Sequence, residues 1–244
     1  MHRCWWITGN NKTILHQSPL PLAGEGRKPG KSPEFLGAIR QMKTVKEPLI
    51  LLILGAALLA LTAIHPHDYP TWWMETFPIF IAVPILVATY KNYTLTPLLY
   101  RLLFLHALIL MVGGHYTYAE APLGYWMQDW FGFARNDYDK IGHLAQGFIP
   151  AMLFRELLLR SSPLKQGKLL FTLVVACCLA VSASYELIEW AAAEMMGQGA
   201  DAFLGTQGYA WDTQSDMLMA LIGAIAAQVL LGKVQDKQLQ GRAQ

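Results

Sequence analysis

Charge is scarce in this chain of 244 residues: Asp, Glu, Lys and Arg make up 15% of it, against 54% apolar residues. The apolar residues fall in long blocks rather than in periodic stripes, which points to a membrane protein rather than a soluble one. Cysteine is almost missing. Cys4 stands near the N-terminus, and Cys177 and Cys178 lie inside an apolar block. That spacing excludes paired disulfides and a zinc knuckle and leaves the cysteines as small apolar packing residues. There is no Gly-rich phosphate loop, no G-x-S-x-G and no basic cluster with interleaved aromatics, so nucleotide hydrolysis and nucleic-acid binding have no support. No apolar h-region precedes Glu47, which excludes a secretory signal in that stretch.

What is present predicts six membrane spans, at about 48–64, 76–90, 96–113, 141–159, 169–195 and 215–232. They run roughly 15–27 residues, bracketing the ~20 that cross ~30 Å of hydrocarbon. The second is short and holds Pro78 and Pro84, which membrane helices tolerate. The expected fold class is therefore all-α, a polytopic bundle of about six transmembrane helices in a bacterial inner membrane. Residues 1–41 read as a Pro-, Gly- and Ser-rich leader, either disordered or spurious, with Met42 as the true start before "MKTVKEPLILLILG". Residues 42–232 form the membrane domain and 233–244 a short cytoplasmic tail. The first span reads as an anchor, because "LALTAIHP" is a poor cleavage site.

The spans place Lys43, Lys46, Lys91, Arg101, Arg155, Arg160, Lys165, Lys168, Lys233, Lys237 and Arg242 on one side, against only Arg135 and Lys140 on the other. The positive-inside rule then puts both termini in the cytoplasm. Trp72, Trp73, Trp126, Trp130, Trp190 and Trp211 fall at the opposite face, as an interfacial belt does.

Acidic groups gather at that opposite face. The fourth span begins "YDKIGHLAQGFIPAMLF", with Asp139 and His143 four residues apart on one helical face and Lys140 beside them. The fifth reaches the same level at "SYELIEW", where Glu186 and Glu189 share a face with Ser182 one turn below; the sixth starts at "WDTQSDM", with Asp212 and Asp216 four apart. His115 and Glu120, in "GGHYTYAE", end the third span there. The first two spans contribute almost nothing ionisable. Acids near the membrane interior usually face a cavity or a partner, and clustered carboxylates stay ionised only if cations balance them. Lys140, Arg135 and His143 supply some of that charge, and a divalent metal ion can supply the rest.

Structural explanations compete. Thr213 with Asp216, and Asn136 with Asp139, fit capping boxes. His143 can be a satisfied core imidazole, and His106 reads as packing. Glu186 and Glu189 sit mid-helix, where capping is unavailable and like charges repel. The loop "PLGYWMQDWFGFARNDYDK" has Trp126 and Trp130, and Met127 and Phe131, at helical spacing, so it reads either as an interfacial helix over the pocket or as a packed aromatic loop. Asp201, in the glycine-rich loop "GQGADAFLGTQGYAWDTQ", reads as solvated.

The stretches "GGHYTYAEAPLG", "RNDYDKIGHLAQGFIPA", "SASYELIEWAAA", "ADAFLGTQGYAWDTQSDM" and "ALIGA" resemble the YjdF family of bacterial inner-membrane proteins from Met42 onward. That family is defined by sequence rather than by a reaction, so the resemblance implies membrane location and the importance of these stretches. A more distant likeness is to VanZ-like membrane proteins, whose pattern is matched by Asp139, Lys140, His143, Glu186, Asp216 and Gly223. It is broken by Glu189, where a Gln is usual, and by Ala220, where a polar residue is usual.

Three functions fit. The first is a membrane enzyme acting on a lipid headgroup or lipid-linked envelope precursor, with Asp139, His143, Glu186 and Glu189 as ligands or acid–base groups and Asp212 and Asp216 orienting metal, water or substrate. Lys140, His115 and Glu120 complete that pocket, and membrane lipids are its partners. The second is an ion or small-solute transporter, which needs polar groups across the midplane and, commonly, two related halves. The third is a non-catalytic envelope factor whose polar cluster binds a partner or locks three helices together.

Overall fold

The computed structural model describes residues 33–196, 207 and 209–241, with side chains for 46–195, 207 and 209–241. The chain divides into the units Met1–Arg40 and Gln41–Gln244. Most of the expected leader, Cys4, and the loop around Asp201 lie outside the described residues.

Seven α-helices and no strand occur among the described residues: α1 (Pro33–Thr62), α2 (Tyr69–Thr89), α3 (Pro97–Tyr116), α4 (Pro122–Phe131), α5 (Tyr138–Ser161), α6 (Lys168–Met196) and α7 (Asp212–Gln240). A 3₁₀ turn, Tyr118–Glu120, links α3 to α4. α2 begins seven residues before the expected second span because Asp68 caps it, its carboxylate accepting from the Thr71 N–H at 2.8 Å, and Pro70 follows in the first turn. Four helices are long and apolar enough to cross a membrane: α2, α3, α6 over Lys168–Met195, and α7.

The expected fourth span, within α5, is not one of those four. Asp139, Lys140, His143 and Gln146 load its first half, and Arg155, Glu156 and Arg160 its last turns. The reason is its position. α5 is the central helix, packed on α3, α6 and α7, and a helix shielded by neighbours presents little surface to lipid and need not be apolar all round.

The α5–α7 contact is unusually close. A side chain on Gly147 would run into the Ala220 carbonyl of α7, and one on Gly223 into the Leu144 carbonyl of α5. Ala151, Ala220, Ala224 and Ala227 continue the seam, each fully buried. In a membrane, where lipid tails are as apolar as leucine, such close backbone packing is what drives helices together. Around it Leu95, Leu99, Met152, Leu170, Val174 and Cys178 form an apolar core, with the Cys178 thiol 3.5 Å from the Gly147 carbonyl.

At the C-terminal end of α5 lies a second polar cluster, paired except that Asp236 Oδ1, buried beside Arg155, has an ion pair but no hydrogen bond. The Glu156 carboxylate, with no exposed surface, accepts from the Thr96 hydroxyl (2.7 Å), the Thr96 N–H (3.1 Å) and Arg160 (2.8 Å). Arg155 donates to Gln235 at 3.0 Å and pairs with Asp236 at 2.8 Å, and Gln235 donates to the Met152 carbonyl at 2.8 Å. Arg155 and Arg160, which count in the sequence only as positive charge near a loop, thus clamp α5 to α7 and to the start of α3.

Two outcomes follow from this packing. Gly147→Ala or Gly223→Ala overpacks the seam and lowers stability by about 1–3 kcal/mol, which thermal unfolding in mild detergent will read. Glu156→Ala strands the fully buried Thr96 hydroxyl and N–H, while Arg160 keeps the Thr94 carbonyl, and costs about 1–3 kcal/mol; the same measurement showing an unchanged melting temperature would contradict that role.

Candidate functional site

The seam fixes what meets at the other end of α5. Asn136 sets the entry: its side-chain amide donates to the Ala121 carbonyl at 3.0 Å and its oxygen accepts from the Tyr138 N–H at 3.1 Å. Neither expected capping box forms. The N-cap positions are Asp137 for α5 and Trp211 for α7, and neither makes a side-chain cap bond. Asp139 and Asp216 instead face other charged groups: Asp139 faces His143 of its own helix, and Asp216 pairs across the α5–α7 contact with Lys140.

Lys140 lies among the acids of the two helices. Its ammonium is 2.6 Å from Asp216, 2.9 Å from Asp212 and 4.0 Å from Asp139. Arg135 adds contacts of 2.6 Å to Asp212 and 3.0 Å to Asp137, with its guanidinium 4.8 Å from the centre of the Tyr209 ring. Burial opposes the Arg135 charge, but the hydrogen bond and charge of Asp212, with those of Asp137, outweigh it and hold the group above its ordinary value. Asp212, expected to orient a metal, is therefore paired with two resident cations.

His143 stands on the far side of Asp139. Its Nε2 lies 3.4 Å from Asp139 Oδ1, and its Nδ1 3.7 Å from Glu186 Oε1 and 3.2 Å from Gln146 Oε1. His143, Glu186 and Glu189 each offer a ligand atom within 4.8 Å of the others, and Asp139, His143 and Asp216 do the same. Lys140 already occupies the second trio, through Asp216. The first has no such tenant. Among the described residues Glu186 Oε1 is buried with no hydrogen-bond partner, as is Ser182 Oγ one turn below. Two buried polar atoms left unpaired on one helix face mark a place where a ligand or water satisfies them.

The structure also adds a residue that the span assignment hid. Glu75 lies inside α2 and is only 2% exposed, so the expectation that the first two spans hold almost nothing ionisable is overturned. The signal was the Glu in "WWMETF", which the late start assigned to the second span left outside the membrane. Burial, and secondarily the Glu75 charge, push the Tyr118 phenol well above its ordinary value, so it remains a neutral donor.

Other expected pocket residues go elsewhere. His115 Nδ1 lies 2.9 Å from the Thr62 carbonyl, and Glu120, 54% exposed, pairs with His67 at 3.5 Å. Trp72 leaves the expected belt: it is buried, with its indole N–H donating to the Thr62 hydroxyl at 3.2 Å. Trp73, Trp126, Trp130, Trp190 and Trp211 are all exposed. The stretch with Trp126 and Trp130 is a helix, α4, and Tyr125, Trp126, Trp130 and Phe131 are exposed along it.

Residues 47–237 match the family described as "Predicted membrane protein (DUF2238)". Inner membrane protein YjdF of Escherichia coli (strain K12) is 52% identical over 202 residues, covering 82% of this chain and 97% of that protein. No solved structure matches. Neither match is to a VanZ-like protein, and that likeness carries nothing further. With a family match across the whole described bundle and a relative of this identity, the chain belongs to the DUF2238 family of membrane proteins.

Proposed function

We propose that this protein is a six-span protein of the inner membrane, with both termini cytoplasmic. In this reading a pocket opening to the outer face holds a divalent cation at His143, Glu186 and Glu189 and uses it on the phosphate of a lipid headgroup or lipid-linked envelope precursor. One observation carries the site: Lys140 and Arg135 pair with Asp137, Asp212 and Asp216, whereas Glu186 Oε1, 3.7 Å from His143, and Ser182 Oγ one turn below it are buried without a hydrogen bond. A carboxyl left unbalanced at such depth is held by a proton or by a cation, and His143, Glu186 and Glu189, each with a ligand atom within 4.8 Å of the others, offer the ligand set for a cation.

The oxygen ligands favour Mg, Ca or Mn, while the imidazole also admits Zn or Fe. Bound there, the ion would polarise a phosphoryl oxygen. Asp139 holds the His143 ring from its other nitrogen, as outer-shell carboxylates orient metal-binding imidazoles. The exposed aromatic face of α4 supports a lipid approach in the plane of the membrane. The lysines and arginines assigned to the cytoplasmic side, with the exposed tryptophans at the other, support the orientation.

A transport path finds less support. Between the two polar clusters α5 and α7 meet through Gly147, Ala151, Ala220, Gly223 and Ala224, a dry seam. The Arg135–Asp212–Lys140–Asp216 network does favour a second reading, a structural lock in a non-catalytic envelope factor.

Purification in mild detergent without chelator, followed by elemental mass spectrometry, separates the two. The cation site predicts near-stoichiometric divalent metal in the wild type and its loss in Glu186→Gln and His143→Ala. A metal-free wild type that also takes up none of these ions when they are added, with both variants melting lower, would establish the lock instead.

A further inference from the structure

We infer that the bundle carries a second cation seat beside the first, formed by Asp139, His143 and Asp216, and that the Lys140 ammonium is its built-in occupant. The inference builds on the cation site proposed above, with which it shares His143. Asp139, His143 and Asp216 each offer a ligand atom within 4.8 Å of the others, as His143, Glu186 and Glu189 do. The imidazole stands between the two sets and turns one nitrogen to each. Its Nε2 lies 3.4 Å from Asp139, and its Nδ1 3.7 Å from Glu186.

The seat is deep and already holds positive charge. Asp139, His143 and Asp216 are each less than a tenth exposed, and two buried carboxylates brought together from α5 and α7 repel unless a cation stands between them. Lys140 Nζ is 2.6 Å from Asp216 and 2.9 Å from Asp212, within charge-assisted hydrogen bonds, but 4.0 Å from Asp139. An ammonium is a compact single charge with three donors, so with Asp216 and Asp212 served it leaves Asp139 to the imidazole. A divalent ion gathers oxygen and imidazole ligands around itself at once. The seat therefore offers more ligand than its lysine uses.

An occupant tethered to α5 has two consequences. It keeps this seat charged whatever the metal supply, and it confines the exchangeable ion to the α6 side, where Glu186 Oε1 and Ser182 Oγ are buried without a hydrogen bond. The arrangement is that of a two-metal clamp with an ammonium in one position.

The test is a Mn(II) titration of the full chain in detergent, comparing wild type with Lys140→Gln/Asp212→Asn. That pair removes one cation and one anion, leaves Asp139, His143 and Asp216 intact, and keeps an acceptor for Arg135, which lies 2.6 Å from Asp212. The double variant is expected to bind one more Mn(II) per chain than wild type, and Asp216→Asn added to it to abolish the extra ion. Lys140→Gln alone is expected to melt lower without metal and to gain more from added Mn(II) than wild type does. Equal stoichiometry in wild type and double variant, or a Lys140→Gln protein that Mn(II) stabilises no more than wild type, would make the lysine a structural lock and overturn the inference. A wild type that binds no Mn(II) beside a double variant that binds one would keep this seat and remove the cation site proposed above.

Discussion

The close approach of α5 to α7 is the constraint from which the rest follows. Gly147 and Gly223 let the two backbones touch, and once they do, the register of every charged residue on both helices is set. At one end Asp139, Lys140 and His143 come opposite Asp212 and Asp216; at the other Arg155 and Glu156 come opposite Gln235 and Asp236. Small residues thus do the work that apolar burial does in water, because in lipid the gain lies in contact and not in removing surface from solvent.

The two polar ends spend that register differently. Around Glu156 donors and acceptors pair off, which makes that end a clamp. Around His143 they do not. Lys140, fixed on the same helix as Asp139, is a tethered cation that satisfies Asp212 and Asp216 but reaches no closer than 4.0 Å to Asp139. Beyond it, Glu186 on α6 has the His143 imidazole 3.7 Å away and, among the described residues, no hydrogen bond to its buried oxygen. A bundle that needed only stability would gain by filling such a space with apolar side chains, so the imbalance itself is the feature that calls for a ligand.

Much of this was legible in the sequence because charge in an apolar chain stands out. Asp139, His143, Glu186, Glu189 and Asp216 are drawn together by the alternating direction of the helices and their depth from each end, both readable from the spans. What escaped was whatever depends on partners. Asp216 beside Thr213 has the spacing of a cap, and only the arrival of Lys140 from α5 shows where its carboxylate goes. Glu75 was placed before its span because Asp68, the cap that starts α2 early, lies in a loop of histidines and prolines that carries no hydropathy signal. Arg155 and Arg160 read as loop charge because Glu156 and Gln235 meet them only once α3, α5 and α7 are packed.

The central claim is that an imidazole and carboxylates of this bundle hold a divalent cation together. Pulsed electron paramagnetic resonance on Mn(II) added to the purified protein addresses it directly, since a coordinated imidazole imposes a nitrogen coupling on the metal. A single-histidine nitrogen coupling that disappears in His143→Ala is the predicted result. Mn(II) showing only water and oxygen surroundings, the same with and without His143, would contradict it.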